Sequence, residues 1–535
     1  MTNSIGDITQ AAVLLVVGSN TTEAHPVIAL RMKAAVRQHG ARLILIDPRG
    51  IELSQFADQH LRPRPGTDVA VINAMAHVIL AEGLENRPFI AERTEKVEAL
   101  AEAVRAWSPE RAEEISGVPA QSIRLAARTY AGAKAAAIFW AMGVTQHVSG
   151  TDNVKALSNL ALLCGQIGRP GTGLNPLRGQ NNVQGACDVG CLPNVFPGYQ
   201  PVASEEARLK FAAAWGVGVE SLNAISGLTV TEMMDAALEG KLRAMFVLGE
   251  NPMLSDPNLH HVEDALAALD LLIVQDIFLN ETAAIADVVL PGVSFAEKSG
   301  TFTNTERRVH LVRPALQAPG EARQDWAILC DVAQRLGADW TYGGPSAIFD
   351  EMAGLTPSYA GISHDRLARG GLQWPCPTSD HPGTPILHVE RFTRGHGLFS
   401  PVDYRPPAEN TDADFPLILS TGRVLYHWHG GTLSRRSAGL NWLAPEAEVE
   451  IHPEDAQALG IADGDMVEVR SRRGAVRARS RITPRSPRGT VFMTFHYAEA
   501  AANLLTVSAV DPVAKIPEYK VAAVRVQRIE EILPA

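Results

Sequence analysis

Arg178 is the one strong cation in the stretch Gly173 to Asp188, GLNPLRGQNNVQGACD. A guanidinium presents a planar fork of donors that matches a carboxylate or a phosphate. Gly179, Gln180 and Asn181 follow it directly, and Asn182 and Gln184 add further amide donors and acceptors. Gly173, Gly179, Gly185 and Pro176 interrupt any apolar period of 2 or 3.6, which predicts a loop rather than a helix or strand. Two readings are open: an anion-recognising active-site loop, or a polar connection carrying a solvated Arg. Long loops without secondary structure are functional or disordered, and a chain with 46% apolar residues does not favour disorder.

The elements that must position this loop read as parallel α/β layers. Ala11 to Val17 is an apolar run that ends in Gly18-Ser19-Asn20, before a helical stretch reaching about His39. Leu43 to Ile46 is a second buried strand ending at Asp47, Val69 to Leu80 reads as a helix, and Ala135 to Trp140 as another strand. Such alternation predicts a doubly wound parallel sheet, whose ligands bind at the carboxyl ends of the strands. Gly18-Ser19-Asn20 lies at that edge, where small residues let backbone N–H groups approach a phosphate. A GxGxxG fingerprint is absent.

The pattern recurs at similar spacing. Ala244 to Leu248 ends in Gly249-Glu250-Asn251-Pro252, and Leu271 to Val274 ends in Gln275-Asp276. Two half-units with Gly-x-Asn turns predict two similar nucleotide sites, with the Arg178 stretch between them in sequence. Glu281 to His310 holds EKSGTFTNTERRVH, which reads either as a loop contacting a polar ligand or as a hairpin tip. Pro375 to Pro385 and Pro401 to Pro407 read as linkers. Beyond them the period becomes 2, at Met466 to Arg470 and Val476 to Arg479, and a small β-barrel is expected from about Asp414. His427 and His429 lie early in it without an evident third ligand, so a polar contact or a plain loop is the simpler reading.

A net charge of −11 disfavours nucleic-acid binding. No apolar run is long enough to span a bilayer. The five Cys are scattered, which argues against a disulfide framework and for a reducing, cytoplasmic setting. Cys187 and Cys191 form the only close pair, without a second pair or a His at ligand spacing.

With these residues in place, the chain resembles the large (alpha) subunit of molybdenum- or tungsten-dependent formate dehydrogenases, among the bis-molybdopterin guanine dinucleotide oxidoreductases. NPLRGQNNVQGACD is the most specific motif; GSNTTEAHP, IDPR, RPGTD, GENP, FTNTERR, TGRVLYHWH and FHYAEAAANLLT also match. The resemblance implies oxidation of formate to carbon dioxide at a Mo or W bis-pterin centre, with Arg178 holding the formate carboxylate. It implies that Gly18, Asn20, Glu23, Asp47, Arg49, Gly66 and Asp68 line one guanosine arm. Gly249, Asn251, Gln275, Asp276, Ser299 and Asn304 match motifs around the other arm. Thr421, Arg423, His427, His429, His496 and Asn503 would come from the C-terminal domain. HWHGG departs from the family's usual HWHTG.

The expected organisation is a Rossmann-like cofactor-binding domain over 1–180, a second and incomplete α/β cofactor-binding domain over 181–405, and a dinucleotide-binding β-barrel domain over 406–535. The family also carries an N-terminal 4Fe–4S domain and a Cys or selenocysteine that ligates the metal, and neither has a counterpart here. The expectation is a C-terminal portion, started at a Met downstream of a selenocysteine codon read as a stop, and inactive on its own. Electron-transfer subunits, iron–sulfur or flavin- or NAD-reducing, are the expected partners. The competing reading is a non-catalytic subunit of an electron-transfer complex with this fold, or another molybdopterin oxidoreductase. Arg178, Gln180 and both half-sites argue against a scaffold, which has no use for them.

Overall fold

The computed structural model describes residues 1–529. Two compact units form. Among the described residues, the first holds Met1–Leu177, Leu254–His260 and 386–529; the second holds Arg178–Met253 and His261–Pro385.

The first unit contains a five-stranded parallel sheet. Its order is Gln59–Leu61, Arg42–Ile46, Val13–Val17, Ala136–Trp140, Gly173–Pro176. The strands are apolar on both faces because both faces are covered. Val13, Leu15 and Val17 enter one core with Ile44, Ile138 and the helix Asp68–Ala81, whereas Leu14 and Val16 enter another with Leu43, Phe139 and Met32 of the helix Pro26–His39. This is the period-2 alternation of a strand sandwiched between helical layers. The connections run outward in opposite directions from Val13–Val17 and Ala136–Trp140, which makes the crevice at their carboxyl ends a topological switch point.

The same unit holds the barrel expected from the alternation beyond Asp414. Six strands close in the order Leu417–Gly422, Thr490–Thr494, Glu448–Ile451, Ala475–Ile482, Met466–Arg470, Ala522–Arg528. Val467, Val469, Val476 and Ala478 point inward to a core with Val449, Val491 and Val524, and the intervening Arg and Glu side chains face out. Closure removes the sheet edges that an open sheet this small would expose.

The second unit carries a three-stranded parallel sheet, Val288–Pro291, Leu271–Asp276, Ala244–Leu248. It also carries an antiparallel hairpin, Gly300–Thr303 against Arg308–Val312, extended by Leu372–Gln373. Within Glu281 to His310 the expected hairpin tip is present. Asn304 supports the turn, accepting at Oδ1 from the backbone N–H of Glu306 and Arg308 at 3.1 and 3.0 Å.

One expectation is corrected. The stretch Gly173 to Asp188 is not loop throughout: Gly173–Pro176 is the edge strand of the five-stranded sheet and Val183–Asp188 is a short helix. Pairing with Ala137–Trp140 outweighs the poor strand propensity of Gly and Pro at a sheet edge. Buried hydrogen bonds to Gln184 and Asp188 outweigh the lack of an apolar helical period. Only the segment from Leu177 to Asn182, around Arg178, lacks regular structure.

Candidate active site

The first site is built at the switch point of the first unit. Gly18 ends its strand at φ +55, and a Cβ there would lie 2.7 Å from the backbone of Gly143 and Val144. The turns after the two central strands thus close against each other. Asn20 and Glu23 follow; Asp47 and Arg49 enter from the neighbouring strand, and Asp68 opens the helix Asp68–Ala81. Gly66, at φ +82, lies against Pro407, where a Cβ would come within 2.6 Å of the ring.

Thr421 and Arg423 of the barrel line the same cleft, joined by Lys520. Lys520 Nζ donates to the carbonyl of Thr421 at 2.7 Å, and Thr421 Oγ1 donates to the carbonyl of Tyr519 at 2.7 Å. Burial, reinforced by the Arg423 charge, pulls the Lys520 ammonium down to about 7. Burial lifts the Asp47 carboxyl to about 6 and raises Asp68 as well.

Two charges expected at this site have partners within the protein. Arg49 is buried, forms a bidentate pair with Glu450 at 2.9 Å, and stacks over the Phe492 ring with its guanidinium carbon 3.4 Å from the centroid. Glu23 pairs with Arg485 at 3.1 Å.

The remaining barrel residues form a polar cluster. His427 is engaged at both ring nitrogens, Nε2 with the carbonyl of Ala444 at 2.8 Å and Nδ1 with Ser434 Oγ at 3.2 Å, which is the polar-contact reading. His496 is fully buried, contacts the carbonyl of His429 through Nδ1, and accepts at Nε2 from the backbone N–H of Val424 at 3.2 Å. Burial pushes His429 down to about 4 and His496 to about 3, so both rings are neutral at pH 7. Asn503 donates to the carbonyls of Leu254 and Ser255, each at 3.0 Å.

In the second unit, Gly249 at φ +65 ends its strand with open space around the position of a Cβ. Asn251 Nδ2 donates to Glu281 at 2.7 Å, and its Oδ1 accepts from Thr282 Oγ1 at 2.7 Å. Gln275 Nε2 donates to Asp325 at 2.9 Å; Asp276 accepts from Asn280 Nδ2 at 2.8 Å. Ser299 lines a separate cavity with Trp326, Phe349 and His364.

Arg178 belongs to this second unit and is half-buried. Its backbone N–H donates to Thr305 Oγ1 at 3.2 Å, and its Nη1 lies 3.8 Å from Cys187 Sγ. Gly179 and Gln180 are half-buried and Asn181 is exposed. Lys520 was not legible in sequence: it sits in PEYKVAAV, outside any motif, and only barrel closure carries it to the cleft. Its one signal is a lone Lys directly before an apolar strand.

Residues 1–335 match a family model described as molybdopterin oxidoreductase, and 417–523 match a molydopterin dinucleotide binding domain. The F420-dependent formate dehydrogenase 1 subunit alpha of Methanococcus maripaludis is 49% identical over 533 residues, covering 99% of this chain and 78% of that protein. Formate dehydrogenase H of Escherichia coli is 40% identical over 537 residues, covering 99% and 75%. Acetylene hydratase from Pelobacter acetylenicus shares the fold at a TM-score of 0.78 and 20% identity, over 98% of this chain and 79% of that one. Among the described residues no helix is long and apolar enough to cross a membrane. A parallel sheet with its crevice at the switch point, a closed barrel over residues that match the dinucleotide-binding model, and these identities place the chain in the molybdopterin oxidoreductase family.

Proposed function

We propose that the protein is the large subunit of a formate dehydrogenase and that Arg178 binds the formate carboxylate. The observation that carries this reading is Arg178 itself: a guanidinium in the short irregular segment between a sheet strand and a helix, with its backbone anchored to Thr305. The names of the similar proteins from Methanococcus maripaludis and Escherichia coli support the same substrate.

The residues present fit a pterin dinucleotide. Both amide atoms of Asn20, Oδ1 of Asn503 and Oε1 of Gln275 are buried and lack a hydrogen-bond partner within the protein. Leaving such atoms unmet costs roughly 1–3 kcal/mol each, so a polar ligand at these positions is favoured. The guanine form is part of the same reading, supported by Asp47 and Asp68, which offer acceptors to the N–H edge of a purine or to a ribose, and by Lys520 and Arg423, which offer positive charge to a pyrophosphate. Gly249, Asn251, Gln275, Asp276, Ser299 and Asn304 would serve the second arm. Gly18, Gly66, Glu23, Arg49, Thr421, His427, His429 and His496 shape or brace the first.

When bound, the metal and its pterins supply the acceptor for the two electrons of formate oxidation. The chain's own contribution is positioning and charge. Arg178 pairs both carboxylate oxygens, fixes the direction of the C–H bond, and holds the anion in place. Gln180 and Asn181 complete the polar lining of the segment. The reading further includes the division at 180 and 405, a 4Fe–4S cluster that residues 1–535 do not hold, partner subunits that carry the electrons onward, and a cytoplasmic location.

Arg178→Lys tests the proposal. Lys keeps the charge but loses the fork, so formate turnover in the metal-loaded enzyme should fall on the order of 100-fold. Turnover close to that of the unsubstituted enzyme would remove Arg178 from the reaction.

A further inference from the structure

Asp188 ends the helix Val183–Asp188 and is fully buried. Its Oδ1 accepts from Gln184 Nε2 at 2.8 Å and from the Tyr199 hydroxyl at 2.7 Å. Its Oδ2 accepts from Trp374 Nε1 at 2.7 Å and from the Tyr359 hydroxyl. Burying a carboxylate is costly, and four donors arranged around both oxygens are what make it tolerable.

The donors lead back to the Arg178 segment. The Tyr359 hydroxyl is also 3.3 Å from Thr303 Oγ1, and the Thr303 backbone N–H donates to Asn182 Oδ1 at 2.8 Å. Gly185 packs so closely that a Cβ would lie 2.3 Å from Asn182 Oδ1 and 3.3 Å from Thr303 N. Two residues further along the hairpin, Thr305 holds the Arg178 backbone. At the other end, Cys187 Sγ lies beside the guanidinium and is the residue next to Asp188.

We infer that Asp188 is a positioning residue, fixing the helix and hairpin tip between which the Arg178 side chain is aimed. This rests on the reading of Arg178 as the formate-binding group. In Asp188→Asn, the NH₂ that replaces one oxygen cannot accept, so it is met only where a Tyr hydroxyl rotates and Gln184 flips to accept from it, and the donors around position 188 must rearrange. Misplacement near a reacting group is worth up to about 100-fold.

The test uses the complete holoenzyme, with formate kinetics and amide hydrogen exchange read together. Asp188→Asn should raise KM for formate roughly 10-fold or more, and speed exchange within 178–188 while leaving Ala244–Leu248 and Leu271–Asp276 protected. In an Arg178→Ala background the same substitution should change KM no further, because its effect passes through Arg178. Independent, additive effects on KM overturn the inference, as do unchanged KM and exchange in Asp188→Asn when Arg178→Ala alone raises KM. If Arg178→Ala leaves KM unchanged, the formate reading fails, and faster exchange in Asp188→Asn still separates that failure from this one. Should Asp188→Asn not fold, Tyr359→Phe removes one donor and must shift KM and exchange in the same direction; no shift overturns the assignment.

Discussion

Lys520 is half-buried, and the proton affinity of its ammonium differs sharply between folded and unfolded chain. Its ordinary value is 10.5, and in the folded protein burial brings it to about 7. Between these values the unfolded chain binds more protons, so stability rises with pH across that window. Below about 7 the charge is buried at full cost. Lys520→Met should therefore be more stable than the unsubstituted, cofactor-free chain at pH 7, with the difference shrinking toward pH 10. The slope between the two is at most about 1.4 kcal/mol per pH unit. Denaturant titrations at several pH values measure it; parallel curves for the two proteins would exclude Lys520 as the source. At this scale Asn20, Asp47 and Arg178 stand out in the sequence, because each lies at the end of an apolar run or inside a polar stretch. Lys520 and Asp188 do not, since Thr421, which Lys520 bonds, and Tyr359 and Trp374, which complete the donors on Asp188, lie far away in sequence.

Among elements, the turn at Gly18 shows how the strands make the site. Gly18 and Gly40 both have positive φ, at +55 and +71, but only Gly18 has neighbours where a Cβ would be. Gly40→Ala should cost about 1–2 kcal/mol, for the left-handed backbone alone. Gly18→Ala adds a clash with the backbone of Gly143 and Val144, and should cost several kcal/mol more and prevent retention of the pterin cofactor. Equal losses of stability for the two substitutions would show that the turns yield without strain. The strands themselves were legible from unbroken apolar runs, since a parallel sheet covered on both faces demands them. The edge strand Gly173–Pro176 was not: its Gly, Asn and Pro carry no strand signal, and only pairing with Ala137–Trp140 makes it extended.

For the molecule as a whole, chain order is a poor guide to which parts pack together. Leu254–His260 joins the first unit although the residues on either side belong to the second. Nothing local to that segment announces this; its bonds do, since Asn503 caps the carbonyls of Leu254 and Ser255. Within the first unit a buried pair is among the contacts that tie the sheet to the barrel. Arg49 follows the strand Arg42–Ile46, and Glu450 lies in the barrel strand Glu448–Ile451; their side chains are 8% and 7% exposed. The guanidinium also lies on Phe492, and Ser486 Oγ donates to Glu450 at 3.3 Å. A buried pair adds little net stability over an apolar one, but removing one partner strands the other charge. Glu450→Ala should therefore cost on the order of 3–5 kcal/mol. Arg49→Met/Glu450→Leu, which removes both charges and refills the space, should recover most of that loss. Chemical denaturation of the single and double variants measures both. A double variant as unstable as Glu450→Ala would mean that the pair supplies specific geometry rather than compensating its own burial, and the link between sheet and barrel would then depend on the shape of the bidentate contact.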